Sequence, residues 1–204
     1  MKLTMKLAPC FRFTSIVCLL LLPGTGIAQT LSGTALVNAL QAGGHVIVMR
    51  HASSPRQIPN IKTADEENVN QERQLDETGR SDSSALGNSL RRLRITVNEV
   101  ESSPTYRTLQ TARLAGFSEV EVRIELGSQG MGSPIEANAT WLRERVANAR
   151  NQGNLLLVTH EPNMSLAFPE LNSSPEEGEA LVFDLSVSRT MPVARVRINQ
   201  WSDL

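Results

Sequence analysis

The stretch His45-Val46-Ile47-Val48-Met49-Arg50-His51 decides the fold, because an unbroken apolar run ends there in two polar residues. Such a run is typical of a strand that is buried on both faces of a parallel sheet. Later in the chain, Leu155-Leu156-Leu157-Val158 is a second run of this kind, and Thr159-His160-Glu161 follows it. Two strands with this pattern predict an α/β domain.

The segments around these two runs alternate between helical and strand patterns. The predicted helices are 34–41, 78–93, 105–115 and 135–150. The predicted strands are 45–49, 97–101, 120–124, 155–158, 180–185 and 193–198. Pro104 is placed at the first position of its helix, where proline is favoured. The pattern predicts one α/β domain with a largely parallel central sheet, helices on both faces and an antiparallel edge formed by the last two strands.

The first 28 residues predict a secretory signal peptide. Three basic residues, Lys2, Lys6 and Arg12, precede the apolar run Ile16 to Leu22, and Gly26-Ile27-Ala28 supplies the small residues of a cleavage site. The run is shorter than the roughly 20 residues that a membrane-spanning helix needs. A short membrane anchor or a buried first helix is the alternative. We expect a periplasmic or secreted protein without stable membrane insertion, with residues 29–204 as its single domain.

Charge and cysteine content narrow the function classes. The signal contains both cysteines, Cys10 and Cys18, so the mature domain depends on its core and not on disulfides. Cleavage would also remove the three basic residues of the signal, which changes the net charge of the chain from −1 to −4. Nothing predicts a basic surface for nucleic acid or anionic lipid. The oligomeric state stays open.

The chemistry is predicted at the ends of the two apolar strands. In open α/β sheets the carboxyl ends of strands converge on one crevice, and neighbouring strands lie about 4.8 Å apart. If the two strands are adjacent, His51 and His160 face one small ligand. Arg50 lies beside His51, and Arg107 lies in the first turn of a helix, where an anion is favoured. The alternative for each histidine is a structural role, which we assign to His45.

Four segments in chain order carry a family pattern. They are Arg50-His51-Ala52, residues 75–79, residues 102–112 and residues 158–163. Together they resemble the motifs of the histidine phosphatase superfamily, which includes phosphoglycerate mutases and acid phosphatases. The resemblance runs from about residue 43 to residue 168. It implies a phosphoglycerate mutase-like fold and the hydrolysis of phosphate monoesters without a metal or another cofactor.

The resemblance also implies roles for single residues. His51 matches the nucleophile that becomes phosphohistidine, and Arg50, Arg107 and His160 match phosphate-binding residues. Ala52 replaces the usual glycine of the first motif.

The general acid is the least certain position. Glu161 matches the acidic residue that follows the second histidine in the acid phosphatase branch. Glu125 lies where the mutase branch places its glutamate. We favour Glu161.

Other functions remain open at this stage. A phosphate- or phosphosugar-binding protein of the same fold would lack turnover, and a mutase is possible by motif, although export argues against it. A metal-dependent hydrolase using His51, His160 and a carboxylate is disfavoured, because no His-Glu-x-x-His spacing is present.

We expect a small or surface-displayed phosphate ester as substrate, selected by the loops 52–74 and 127–134.

Overall fold

A computed structural model describes residues 30–149 and 153–204. The predicted signal peptide over residues 1–28 and the predicted helix end at Arg150 lie outside these residues. Among the residues described, no helix combines the length and the apolar character needed to cross a membrane.

The centre of the domain is a six-stranded sheet. Its strands are β1 (His45–Arg50), β2 (Val97–Ser102), β3 (Glu121–Val122), β4 (Asn154–Thr159), β5 (Glu179–Asp184) and β6 (Ala194–Arg197). Their order is β3-β2-β4-β1-β5-β6. The first four strands are parallel, whereas β5 pairs antiparallel with β1, and β6 antiparallel with β5. The predicted parallel sheet with an antiparallel edge is confirmed.

Helices cover both faces of the sheet, as predicted. They are α1 (Gly33–Ala42), α2 (Glu77–Arg92), α3 (Tyr106–Leu114), α4 (Ile135–Ala147) and α5 (Glu161–Ala167). Apolar residues of α1, α2 and α3 form one core with one sheet face, and those of α4 and α5 form a second core with the other. The strands β1 and β4 lie between these cores, which is why both are apolar in their central residues, Val46–Met49 and Leu155–Val158.

Three details differ from the sequence prediction. The helix α3 begins at Tyr106 and not at Pro104, because Thr105 has an extended backbone with ψ of 145°. The strand β3 is only two residues long and is followed by a short 3-10 helix, Ile124–Leu126. The helix α5 was not predicted. It begins directly after His160, carries Pro162 in its first turn, and is seven residues long.

The register of the central strands brings the predicted site residues together. Arg50 of β1 lies opposite Thr159 of β4, and the His51 N–H donates to the Thr159 carbonyl at 3.1 Å. On the other side of β4, the Ser103 N–H donates to the Val158 carbonyl at 3.0 Å. The carboxyl ends of β2, β4 and β1 therefore meet at one edge of the sheet.

Candidate active site

His51 is buried, with 3 % of its surface exposed, and its ring has a defined tautomer. Nδ1 lies 2.8 Å from the carbonyl oxygen of Ala52, and a carbonyl can only accept, so Nδ1 carries the proton. Within the described residues, Nε2 makes no hydrogen bond. Burial, together with the charges of the nearby Arg107, Arg50 and Arg73, lowers the pKa of His51 to about 3. The ring is therefore neutral near pH 7, with a lone pair on Nε2.

His160 faces His51, as the sequence predicted for adjacent strands. The ring centroids are 5.4 Å apart and the rings are inclined by 63°. Arg107 Nη2 donates to Nδ1 of His160 at 3.0 Å, so the proton of this ring is on Nε2, which lies 2.9 Å from the Ser103 hydroxyl. Burial, followed by the charge of Arg107, holds the pKa of His160 well below its usual value. Both imidazoles are thus neutral.

The two predicted arginines reach the same place from different elements. Arg50 is the last residue of β1, and Arg107 is the second residue of α3. In both guanidiniums the Nε atom is buried and has no hydrogen-bond partner among the described residues. A buried donor without a partner costs about 1–3 kcal/mol, so such donors are rare unless a ligand completes them. Two of them beside the histidine pair indicate an anion site.

Burial also acts on the guanidinium of Arg107. It lowers the pKa of Arg107 to about 10, with Arg73 as the next cause. The side chain therefore remains charged near pH 7, and its repulsion by a neighbouring cation is relieved when an anion binds.

A third arginine, which the sequence did not predict, also lies at this site. Arg73 belongs to the long loop between β1 and α2, and carbonyl oxygens of Ser54 and Pro55 fix its guanidinium at 2.7 and 2.8 Å. Burial lowers its pKa, against the opposing charge of Glu177. No motif quoted above includes Arg73. Only its position two residues before the segment 75–79 could have indicated it.

Two carboxylates also approach the arginines without having been predicted. Glu72 accepts the Tyr106 N–H at the start of α3 at 3.0 Å, and its charge acts on Arg107. Glu177, in the segment before β5, pairs with Arg50 at 3.2 Å and with Arg73 at 3.8 Å. Glu72 is adjacent to Arg73 in sequence, whereas Glu177 is far from every quoted motif.

The two candidate general acids lie at the same edge of the sheet, but among the described residues neither carboxylate makes a hydrogen bond to His51 or His160. Glu161 is the first residue of α5, and its carboxylate accepts from the Ser165 hydroxyl at 2.7 Å. Glu125 lies in the 3-10 helix after β3, and its backbone carbonyl accepts from the Asn163 side chain. The choice of acid stays a prediction. His45 lies at the opposite end of β1, away from the site.

Ala52, which departs from the family motif, is accommodated without strain. Its φ is not positive, so the position does not need the conformational freedom of glycine. Its side chain is fully buried in the core beneath the site, and its N–H donates to the Thr111 hydroxyl at 3.1 Å. The substitution therefore leaves the backbone next to His51 in an ordinary conformation.

A metal site is not seen among residues 30–149 and 153–204. No three His, Cys, Asp or Glu side chains in these ranges come together as metal ligands would.

The chain is similar in sequence to one protein family and in fold to several solved structures. A model of the histidine phosphatase superfamily (branch 1) matches residues 46–133, a range that includes Arg50, His51 and Arg107. No curated protein sequence matches the chain significantly.

Solved structures with the same fold are distant in sequence. TTHB049 from Thermus thermophilus is 16 % identical, with a TM-score of 0.52, and the match covers 75 % of this chain and 99 % of that one. Rv3214 from Mycobacterium tuberculosis is 18 % identical, with a TM-score of 0.50 and coverages of 73 % and 98 %. At these identities the two likenesses establish the fold. The protein histidine phosphatase SixA complexed with tungstate is 20 % identical, with a TM-score of 0.49 and coverages of 74 % and 92 %.

The neutral state of His51 predicts how stability depends on pH. The unfolded chain binds a proton at this residue below about pH 6.5, whereas the folded chain does so only near pH 3. The contribution of neutral His51 to the free energy of unfolding is therefore fully present above pH 6.5. It is lost as the pH falls, by about 1.4 kcal/mol per pH unit for such a group. His51→Asn should lose less stability than the unchanged protein between pH 7 and pH 4.5, measured by urea unfolding. Identical losses would contradict a buried neutral imidazole.

Proposed function

Because this chain belongs to the histidine phosphatase superfamily, we propose that it hydrolyses phosphate monoesters through a phosphohistidine on His51. The observation that carries the proposal is a pair of buried Nε donors, on Arg50 and Arg107, that have no partner in the part of the chain that the structure describes and lie beside the neutral His51 ring. An anion at this position would satisfy both donors. Nε2 of His51 would then be the nucleophile that faces its phosphorus atom.

The first chemical step forms a phosphorus–nitrogen bond. Nε2 of His51 attacks the phosphorus atom while the bond to the ester oxygen breaks, and charge collects on the equatorial phosphoryl oxygens. Arg50 and Arg107 offset this charge through donors that are already oriented, so little reorganisation is needed. The Nδ1 bond to the Ala52 carbonyl holds the tautomer that the attack requires.

The role of His160 follows from its two present partners. In the free protein its Nδ1 accepts from Arg107, and its Nε2 contacts the Ser103 hydroxyl. A bound phosphoryl group would draw the Arg107 guanidinium toward its own oxygens. Once released from Arg107, Nδ1 of His160 would take a proton from solvent, because the bound dianion offsets the cations that disfavour the imidazolium, and would donate it as a hydrogen bond to the same group.

Proton transfer to the leaving alcohol requires a carboxylic acid. We assign it to Glu161, with Glu125 as the alternative, on the resemblance to the two branches of the family. The acid protonates the leaving oxygen in the first step. In the second step its carboxylate takes a proton from the water that attacks phosphorus and breaks the bond to His51. Inorganic phosphate leaves and the site is restored.

His51→Ala should abolish both turnover of p-nitrophenyl phosphate and the trapping of phosphate on the protein, because the proposed attacking nitrogen is Nε2 of His51. The measurement is hydrolysis rate together with acid-labile, protein-bound label from a radioactive ester. His45→Asn, at the far end of the same strand, is the control and should keep both signals. Full activity in His51→Ala would end the nucleophile assignment. Phosphate binding without any turnover in the unchanged protein would instead support a binding protein of the same fold.

Arg107→Ala should slow turnover by on the order of 10²-fold or more, by analogy with the loss of one preorganised oxyanion donor. The reason is the loss of a charged donor that faces the transferring group. Initial rates on p-nitrophenyl phosphate check the prediction, with Arg113→Ala as the control, since Arg113 lies on the same helix and is more than half exposed. A loss of less than threefold would contradict the role.

We further propose that the protein is exported, with a small or surface-displayed phosphate ester as substrate. The support is the basic, apolar and small-residue pattern of the first 28 residues. Expression of the full chain in a bacterial host should yield a mature protein that begins at Gln29, which N-terminal sequencing of the periplasmic fraction checks. Recovery of the uncleaved chain from the cytosol would refute export.

A further inference from the structure

Glu177 is placed against the cationic cluster from a segment that no motif includes. One oxygen of its carboxylate lies 3.2 Å from Nη2 of Arg50 and 3.8 Å from Nη2 of Arg73. The other oxygen lies 3.4 Å from the backbone nitrogen of Ser54. This carboxylate therefore bridges an arginine assigned to the phosphate and an arginine of the long loop.

The surrounding segment fixes the position of this carboxylate. Arg50 Nη1 donates to the Pro175 carbonyl at 3.0 Å, and the Gly178 N–H donates to the His51 carbonyl at 2.9 Å. Gly178 has a φ of +74°, and a Cβ atom at that position would approach Ile198 to 2.6 Å. The segment is thus hydrogen-bonded to the backbone of His51 itself, and Gly178 is a position that a residue with a Cβ atom would fit poorly.

Only some of the nitrogen donors of Arg50 have protein partners in the described part of the chain. Nη1 and Nη2 contact Pro175 and Glu177, whereas Nε is buried without a partner among the described residues. A phosphoryl group bound at Nε would leave the pair with Glu177 in place. The carboxylate then remains beside the bound phosphate as a fixed negative charge.

The position of Arg73 indicates which substrates the Glu177 carboxylate would exclude. Its Nε and Nη2 donate to loop carbonyls, and these bonds hold the guanidinium beside Glu177. Without Glu177, Arg50 and Arg73 would together attract a second anionic group of a substrate. With Glu177 present, that position already contains a carboxylate, and a second substrate anion would meet a like charge.

On the basis of the proposed phosphatase function, we propose that Glu177 selects phosphate esters of uncharged alcohols and rejects esters with a second anionic group next to the phosphate. Sugar and glycerol phosphates belong to the first class. Phosphorylated hydroxy acids and diphosphates belong to the second. Glu177 is in this sense a specificity-determining residue that acts by electrostatic exclusion.

Two matched esters test the selection. Glycerol 3-phosphate and 3-phosphoglycerate differ only in a hydroxymethyl group against a carboxylate. The unchanged protein should show a kcat/KM at least tenfold higher for glycerol 3-phosphate. Glu177→Gln should reduce that ratio at least tenfold, through a gain on 3-phosphoglycerate. Glu176→Gln is the control, because its carboxylate pairs with Arg197 on the surface, and it should keep the original ratio.

A binding measurement separates this proposal from the proposed hydrolysis. Ethylphosphonate and phosphonoacetate are non-hydrolysable and differ in a methyl group against a carboxylate. By calorimetry, Glu177→Gln should favour phosphonoacetate at least tenfold relative to the unchanged protein. A ratio that stays within threefold, or equal losses for both ligands, would overturn the role of Glu177. If both phosphonates bind but neither ester is hydrolysed, the hydrolase proposal fails and the binding ratio still decides on Glu177.

Discussion

The parallel pairing of β1 with β4 is the constraint on which the site depends. Arg50 lies opposite Thr159 in this register, so the next residue of each strand, His51 and His160, leaves the sheet at the same edge. A shift of one residue would turn one imidazole to the other face of the sheet. The register is fixed by apolar side chains that both cores bury, so the packing of the domain and the geometry of the site have the same cause.

Burial then sets the electrostatic state of that edge. Desolvation lowers the pKa values of both histidines, and the nearby guanidiniums lower them further, so the site combines neutral imidazoles with charged arginines. Such an arrangement is unfavourable in isolation, because Arg50, Arg73 and Arg107 repel one another and two of their Nε donors have no partner among the described residues. Glu72 and Glu177 offset part of the repulsion. A bound anion would offset the rest of the repulsion and would accept hydrogen bonds from the two Nε donors.

The sequence predicted the parts of the molecule that carry strong local signals. Apolar runs identify β1 and β4, because the central residues of strands that are buried on both faces are apolar. The motif residues Arg50, His51, Arg107 and His160 lie at the end of a strand, directly after one, or at a helix start, so their convergence follows from the topology. The helix α5 was missed because its seven residues are too few to show a period. The start of α3 was misplaced because proline is equally compatible with the turn before a helix.

Arg73 and Glu177 could not be predicted for a different reason. Their positions depend on how two irregular segments fold back over the strand ends, and neither hydrophobic period nor turn chemistry specifies that path. Arg73 is held by carbonyls of its own loop, and Glu177 by the attachment of Gly178 to the His51 carbonyl. The chain thus separates two tasks. Short motifs on regular elements would supply the proposed phosphoryl chemistry. The charges that would choose among phosphate esters come from loops whose sequence shows no recognisable pattern.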